Sequence, residues 1–385
     1  MSFLRTALLM AAVGWCAVTA NAETLREPAP PRLVLIFVYD AGETLGLLPV
    51  ASLLAQRNIR VRWAPLTPWA AQILAHEFAD MIPLPEGLNQ MPHVKDRGTS
   101  GDATYWMRLA EDQKPDLVIT GMVSGIQEEL AKELKTAGVR TVGFYDSFDT
   151  TERDSIMWRI ASRVDRVWVP TKKIKDDLNE LGIKSVKALG QPTLEIWSRI
   201  ASSTKPDTVF ARLGIPANKA IIVFAGQYGD GYNEILAAFV KAAQAELDQR
   251  EDLYLVLSPH PKTNGDAECA VLAQYNEPRM MVMPVGISTA DLAIVSRAVV
   301  TWRSTVGTQA AFLGKPVIYF NFAVADYRND LIEHGLAQAA TPETFGAALR
   351  KAFATRSVDR RRLLALGYVV NSDQKIADEV RRLIK

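Results

Sequence analysis

Short, continuous apolar runs alternate with amphipathic stretches along most of the chain, a pattern that predicts parallel strands joined by helices. The clearest runs are Leu33 to Tyr39, Asp116 to Thr120, Thr141 to Tyr145, Val167 to Val169, Ile221 to Ala225, Leu253 to Leu257, Met280 to Met283, Ala298 to Thr301 and Val317 to Phe320. Most are apolar at consecutive positions, as strands covered on both faces require. Asn58 to Trp63 reads as a further strand. Helical stripes lie between them: Leu47, Val50, Leu53 and Leu54 within Leu47 to Arg57, then Ile126 to Ala137. The second stripe is braced by Glu128 with Lys132 one turn on and ended by Gly138. A last helix is predicted over Ser372 to Leu383. The pattern breaks between residues 66 and 108, with prolines at 68, 83, 85 and 92, which predicts an insertion or lid. His76 and His93 fall there without metal-ligand spacing and read as surface histidines.

Polar residues collect where strands end, and the carboxyl ends of parallel strands are where open α/β sheets bind ligands. Asp40 and Glu43 lie in a predicted loop, residues 40 to 46, after the first strand. They are candidates for catalysis, or else Asp40 ends the strand and Glu43 favours a helix start. Asp146 and Asp149 follow another strand, and a carboxylate there suits a general base acting on a hydroxyl. Asp146 is preferred because it directly follows the strand. The alternative is that both cap the next turn. In Gly226-Gln227-Tyr228-Gly229-Asp230-Gly231, three glycines permit close backbone approach to a ligand. His260, between two prolines, either bonds a phosphate or sugar hydroxyl at neutral pH or is a packed turn residue. The stretch from Ala298 to Phe320 forms one strand-loop-helix-strand unit. Ser304 and Thr305 stand where its helix begins, to hold a phosphate or to cap the helix.

The segment from Ser304 to Ile318, with its Gly314-Lys315-Pro316 step, resembles the donor-nucleotide loop of GT-B glycosyltransferases and of the related non-hydrolysing UDP-N-acetylglucosamine 2-epimerases. Gly190-Gln191-Pro192 resembles the hinge of those families, and Pro259-His260-Pro261 their stretch after the corresponding strand. The resemblance implies two Rossmann-like doubly wound α/β domains of GT-B type facing a cleft. It places the N-terminal, acceptor-side domain at residues 33 to 190, the C-terminal, nucleotide-side domain at 191 to 370, and a helix over 371 to 385 that crosses back to the first. Asp40, Glu43 and Asp146 remain the expected catalytic residues, from their position at strand ends. The resemblance implies nucleotide or sugar binding by Gly42, Gly226, Gln227, His260, Ser304, Thr305 and Gln309, with no metal or other cofactor. Two departures matter. Gln309 stands near where many such transferases carry a Glu that binds ribose, and Gln227 stands where the epimerases carry a catalytic histidine. Gln cannot shuttle that proton, which argues against epimerisation.

Composition narrows the class. A chain of 385 residues is long enough for two domains. With 44 Lys and Arg against 43 Asp and Glu, it has no electrostatic footprint for nucleic acid. Arg5, the apolar run from Ala7 to about Ala20, and Ala20-Asn21-Ala22 make a secretory signal peptide cleaved before Glu23, with residues 23 to 32 as a tether. The expected location is periplasmic or secreted, with an uncleaved inner-membrane anchor as the alternative. Cleavage removes Cys16 and leaves Cys269 without an intrachain partner. Export conflicts with a cytoplasmic nucleotide-sugar donor unless the chain is anchored facing the cytoplasm or the donor is something other than a nucleotide sugar, so two functions stay open. One is a transferase of envelope or exopolysaccharide biosynthesis that associates with that machinery. The other is an exported, non-catalytic saccharide-binding protein on the same scaffold.

Overall fold

The computed structural model describes residues 31–85, 103–149, 152–321 and 329–385. His93, with residues 86–102 of the expected insertion, and the expected signal peptide lie outside these residues. Chain order in the first half is β1 (Arg32–Val38), α1 (Ala41–Ala55), β2 (Ile59–Pro65), α2 (Pro68–His76), α3 (Ala103–Gln113), β3 (Leu117–Gly121), α4 (Gly125–Thr136), β4 (Thr141–Phe144), α5 (Ile156–Ala161), β5 (Arg166–Val169), α6 (Lys172–Glu180) and β6 (Val186–Ala188). The second half runs α7 (Thr193–Ser203), α8 (Pro206–Leu213), β7 (Ala220–Ala225), α9 (Tyr232–Leu247), β8 (Leu253–Ser258), α10 (Asp266–Leu272), β9 (Met280–Val282), α11 (Thr289–Val295), β10 (Ala298–Thr301), α12 (Val306–Phe312), β11 (Val317–Phe320), α13 (Asp330–Glu333), β12 (Gln338–Ala340), α14 (Phe345–Ala354), α15 (Arg360–Ala365) and α16 (Ser372–Leu383).

Two six-stranded parallel sheets result, ordered β2-β1-β3-β4-β5-β6 and β12-β11-β10-β7-β8-β9. The second has the six-strand Rossmann order, while the first has one strand before its reversal point in place of two. The direction of winding reverses between β1 and β3 in one sheet and between β7 and β10 in the other; Asp40, Gly226, Gln227, Ser304 and Thr305 follow strands at these reversals, while Asp146 and His260 follow the next strands over, β4 and β8. Consecutive apolar residues serve opposite faces. Val34, Ile36 and Val38 pack beneath α1 and α16, while Leu35 and Phe37 pack against α3 and α4. In β7, Ile222 and Phe224 meet α9 and α14, while Ile221 and Val223 meet α8 and α11.

The last helix belongs to the core of the first sheet, since Ile376, Ala377, Val380 and Leu383 are buried there with Leu47, Val50 and Leu54. Gly190, at φ +95°, makes room for the start of that helix: a Cβ on it would lie 2.0 Å from Ser372 Oγ. Helix α1 begins at Ala41, so the expected loop over residues 40 to 46 is mostly helix. Asp40 caps it by accepting from the Ala41 N–H, and its carbonyl accepts from the Thr44 N–H and hydroxyl. Gly42 and Gly46, which read as loop residues, are helical positions where other side chains press in. Glu128, expected to pair with Lys132, instead binds Arg159 and Arg163. His76 is exposed near the end of α2, as its reading as a surface residue required. Cys269 is exposed and unpaired. Among the described residues, no helix is long and apolar enough to cross a membrane.

Candidate functional site

A cleft of about 690 Å³ opens between the carboxyl ends of the two sheets. Its lining includes Asp40, Gly42, Asp146, Gly226, Gln227, His260, Ser304, Thr305 and Gln309. The fold thus gathers nine of the ten predicted site residues, separated in sequence by up to 269 positions, around one volume.

The first sheet supplies the acids. Asp146 leaves β4 and lies against the first turn of α1, where a Cβ on Gly42 would come within 1.9 Å of its Oδ2. Gly42, expected to approach the ligand, therefore also makes the space that Asp146 occupies. Burial pushes the Asp146 pKa up to about 7; the Asp40 carboxylate adds to this, and the Lys262 charge opposes it. The Gln191 amide donates to the Asp146 carbonyl at 3.0 Å, tying this loop to the hinge segment. Asp149 stands further out, accepting from the Ser147 hydroxyl at 3.1 Å. Burial raises its pKa against that bond and the charge of Arg303.

Glu43 does not reach the cleft, which corrects its expected catalytic role. It is fully buried behind Gly121, whose Cβ would lie 1.8 Å from its carboxyl carbon. Its oxygens accept from the Tyr39 N–H at 2.8 Å, the Met122 N–H at 3.0 Å and the Gln127 amide at 2.9 and 3.1 Å. It joins the loops after β1 and β3 and leaves no face for a substrate. Burial raises its pKa, and the charge of Asp146 adds to this.

The second sheet supplies donors and a cation. The His260 Nδ1 accepts the Lys262 N–H at 3.1 Å, so the neutral ring carries its proton on Nε2 as a donor. Burial holds its pKa down at about 4, helped by the Lys262 charge and opposed by Asp40, so the ring is neutral at pH 7. Tyr228 packs edge-on to it, with ring centroids 4.4 Å apart. Gly226 is closely hemmed in: a Cβ would lie 2.7 Å from Glu268 Oε1 and 2.8 Å from the Tyr232 hydroxyl.

At the start of α12, the Ser304 Oγ accepts the Val306 N–H at 3.2 Å, and its carbonyl accepts the Gly307 N–H at 3.1 Å. Two of the amides expected to meet a phosphate are thus already bonded. What Ser304 retains is a hydroxyl proton to donate. Thr305 is the N-cap residue without a side-chain cap bond, and Gln309 is buried one turn on. Among the described residues, no group of three or more His, Cys, Asp or Glu is arranged to hold a metal.

Residues 171–362 match the family of capsule polysaccharide biosynthesis proteins. In fold, the chain is similar to the UDP-GlcNAc 2-epimerase of Neisseria meningitidis bound to UDP-GlcNAc, with a TM-score of 0.73 at 14% identity over 91% of this chain and 100% of that one. It is similar to the Methanocaldococcus jannaschii UDP-GlcNAc 2-epimerase in complex with UDP-GlcNAc and UDP, with a TM-score of 0.67 at 14% identity over 91% and 99% of the two chains. A glycosyltransferase from Rickettsia africae gives a TM-score of 0.62 at 13% identity over 92% and 98%. The chain has the GT-B-type fold. No curated protein sequence matches it.

Sequence reading missed the cation of this GT-B cleft. Lys262, only 6% exposed, reaches from the loop after β8 to Asp40 of the first half, with Nζ 2.5 Å from Oδ2. It also donates to the Tyr228 hydroxyl at 2.9 Å and lies over that ring. Burial works to lower its pKa, but the charge of Asp40 and the bonds to Asp40 and Tyr228 raise it on balance. Its one sequence signal was adjacency to Pro259-His260-Pro261; the partner is 222 residues away. Trp69 and Leu45, 37% and 41% exposed, also line the cleft and were not singled out.

Proposed function

We propose that the cleft transfers a glycosyl group from a nucleotide-activated sugar to a saccharide hydroxyl in the assembly of an envelope polysaccharide. The observation that carries this reading is Asp146, a carboxylate facing the cleft with its pKa raised to about 7. A general base works best when its pKa lies near the operating pH. In the proposed step, Asp146 takes the acceptor hydroxyl proton as that oxygen bonds to the anomeric carbon. The bond from that carbon to the diphosphate breaks, and the nucleoside diphosphate leaves with the electron pair. Lys262, Arg303, the Ser304 hydroxyl and the His260 Nε2–H line the side of the cleft on which the leaving charge develops. The capsule-family match over residues 171–362 supports a polysaccharide setting, and a UDP-GlcNAc-bound neighbour of the same fold supports a nucleotide-sugar ligand.

A panel of nucleotide sugars, each incubated with candidate saccharide acceptors, tests this through acceptor-dependent release of nucleoside diphosphate. The exported, non-catalytic saccharide-binding protein is the second reading. Gln309 favours it, because an uncharged residue bonds a ribose hydroxyl more weakly than a carboxylate does. If calorimetry finds no nucleoside diphosphate binding at millimolar concentration while an oligosaccharide binds, the transferase reading fails and this one replaces it.

A further inference from the structure

We infer that Lys262 is an anion-binding residue held off by Asp40: the ion pair between the two halves masks the cation, and a diphosphate takes the place of the carboxylate. The inference rests on the proposed function only in the choice of a diphosphate as the incoming anion.

Three features support it. The pair joins a loop of the second sheet to the first turn of a helix on the first, so it forms only when the two cleft walls stand as they do here. Tyr228 accepts from the ammonium and places its ring beneath it, and both groups come from the second-sheet side. Lys262 therefore keeps a partner on its own side when it lets go of Asp40. Asp40, for its part, also caps α1 through its other oxygen, so it stays in place when Lys262 leaves.

The exchange keeps an anionic contact on the ammonium, since one carboxylate is replaced by one phosphate oxygen, and leaves Asp40 with its cap bond from the Ala41 N–H. It also has a cost, because a ligand that binds only the unmasked state has its apparent affinity divided by the fraction unmasked. With about one molecule in ten unmasked, removing the Asp40 charge tightens anion binding about tenfold. Asn at position 40 keeps the helix cap while removing the charge.

The test is calorimetric titration of the full chain with inorganic pyrophosphate and, separately, with UDP. The proteins are wild type, Asp40→Asn, Lys262→Met and the double variant. We expect Asp40→Asn to bind pyrophosphate about tenfold tighter and Lys262→Met about tenfold weaker. The double variant should match Lys262→Met alone, because Asp40 acts through Lys262. A general reduction in negative field would instead tighten binding in the double variant as well, and that result overturns the inference. Unchanged or weaker binding by Asp40→Asn also overturns it, as does failure of every protein to bind pyrophosphate at millimolar concentration. The two ligands separate this inference from the proposed function. Pyrophosphate following the expected pattern while UDP does not bind would remove the nucleotide donor and leave the masked cation standing. UDP binding without a gain in Asp40→Asn would do the reverse.

Discussion

Replacing Asp146 by Asn removes a charge while keeping the shape that fits over Gly42. In the folded protein the carboxyl holds its proton up to about pH 7, against 3.8 ordinarily. A folded-state pKa raised in this way contributes stability that is present at low pH and lost as the pH climbs from about 4 through 7. At about 1.4 kcal/mol per pKa unit the full penalty is about 4.5 kcal/mol, and water in the cleft screens part of it, leaving about 2 kcal/mol. Asp146→Asn should therefore unfold at the same temperature as wild type near pH 4. It should be stabilised by about 2 kcal/mol at pH 8, or about 3 °C in Tm for a chain of this size.

The same substitution should lower kcat by about a hundredfold to ten-thousandfold, the usual contribution of a general base. Wild-type activity should fall about tenfold per pH unit below pH 7, as the base becomes protonated. Scanning calorimetry at pH 4 and pH 8, with a transfer assay once a substrate pair is found, reads both effects. A variant less stable than wild type at pH 8, or a stability difference that does not change with pH, refutes the reasoning about burial. A variant with full activity refutes the role as base.

Gly121→Ala should destabilise the fold by about 3 kcal/mol in urea denaturation, because its Cβ must displace the Glu43 carboxyl from a closed site. Gly42→Ala should instead abolish transfer at smaller stability cost, since the Asp146 carboxylate it displaces can move into the cleft. Calorimetry of UDP binding should show His260→Ala weakened about three- to tenfold, the worth of one neutral hydrogen bond. That factor should be the same at pH 6 and pH 8, because the ring loses its charge at about pH 4. Arg5 and the Ala20-Asn21-Ala22 site predict a mature chain beginning at Glu23, and an intact mass that still includes Met1 or Ser2 would restore the anchored alternative.

Much of the scaffold was legible because buried parallel strands announce themselves as uninterrupted apolar runs; β1, β7, β10 and β11 lie within a residue of their predicted bounds. The short strands β6 and β12, three residues each, were not distinguishable from loop. The start of α1 was misplaced because Gly42 and Gly46 count against a helix on local propensity, whereas in the fold they are dictated by contacts with Asp146, Gln191 and Phe144. That residues at strand ends would line the cleft was legible from position alone, because the carboxyl edge of a parallel sheet is open. Glu43 shows where that rule stops. It sits among the same residues but faces inward, and a sequence carries no sign of which face of a first helical turn meets solvent. Lys262 was hidden for the opposite reason, since its meaning lies in a partner beside the other sheet, 222 residues away.

The division of charge across the cleft makes one more prediction. Asp40 and Asp146 come from the first sheet, while Lys262 and Arg303 come from the second. Two unit charges of like sign 4 Å apart repel by about 4 kcal/mol near a protein surface, and doubling the distance halves this. A diphosphate lodged beside Asp146 would meet that repulsion offset only in part by Lys262, whose charge reaches Asp146 but is paired with Asp40, so it should sit on the second-sheet side, where Lys262 and Arg303 both originate. The acceptor hydroxyl must then lie between the diphosphate and Asp146, next to Trp69 and Leu45, where an apolar sugar face has somewhere to rest. Donor and acceptor therefore occupy separate walls. A nucleoside diphosphate product should compete with the donor and leave acceptor binding unaffected. Steady-state inhibition by the product, measured against each substrate in turn, checks this. Competition against the acceptor would place the diphosphate on the acidic wall and contradict the charge argument.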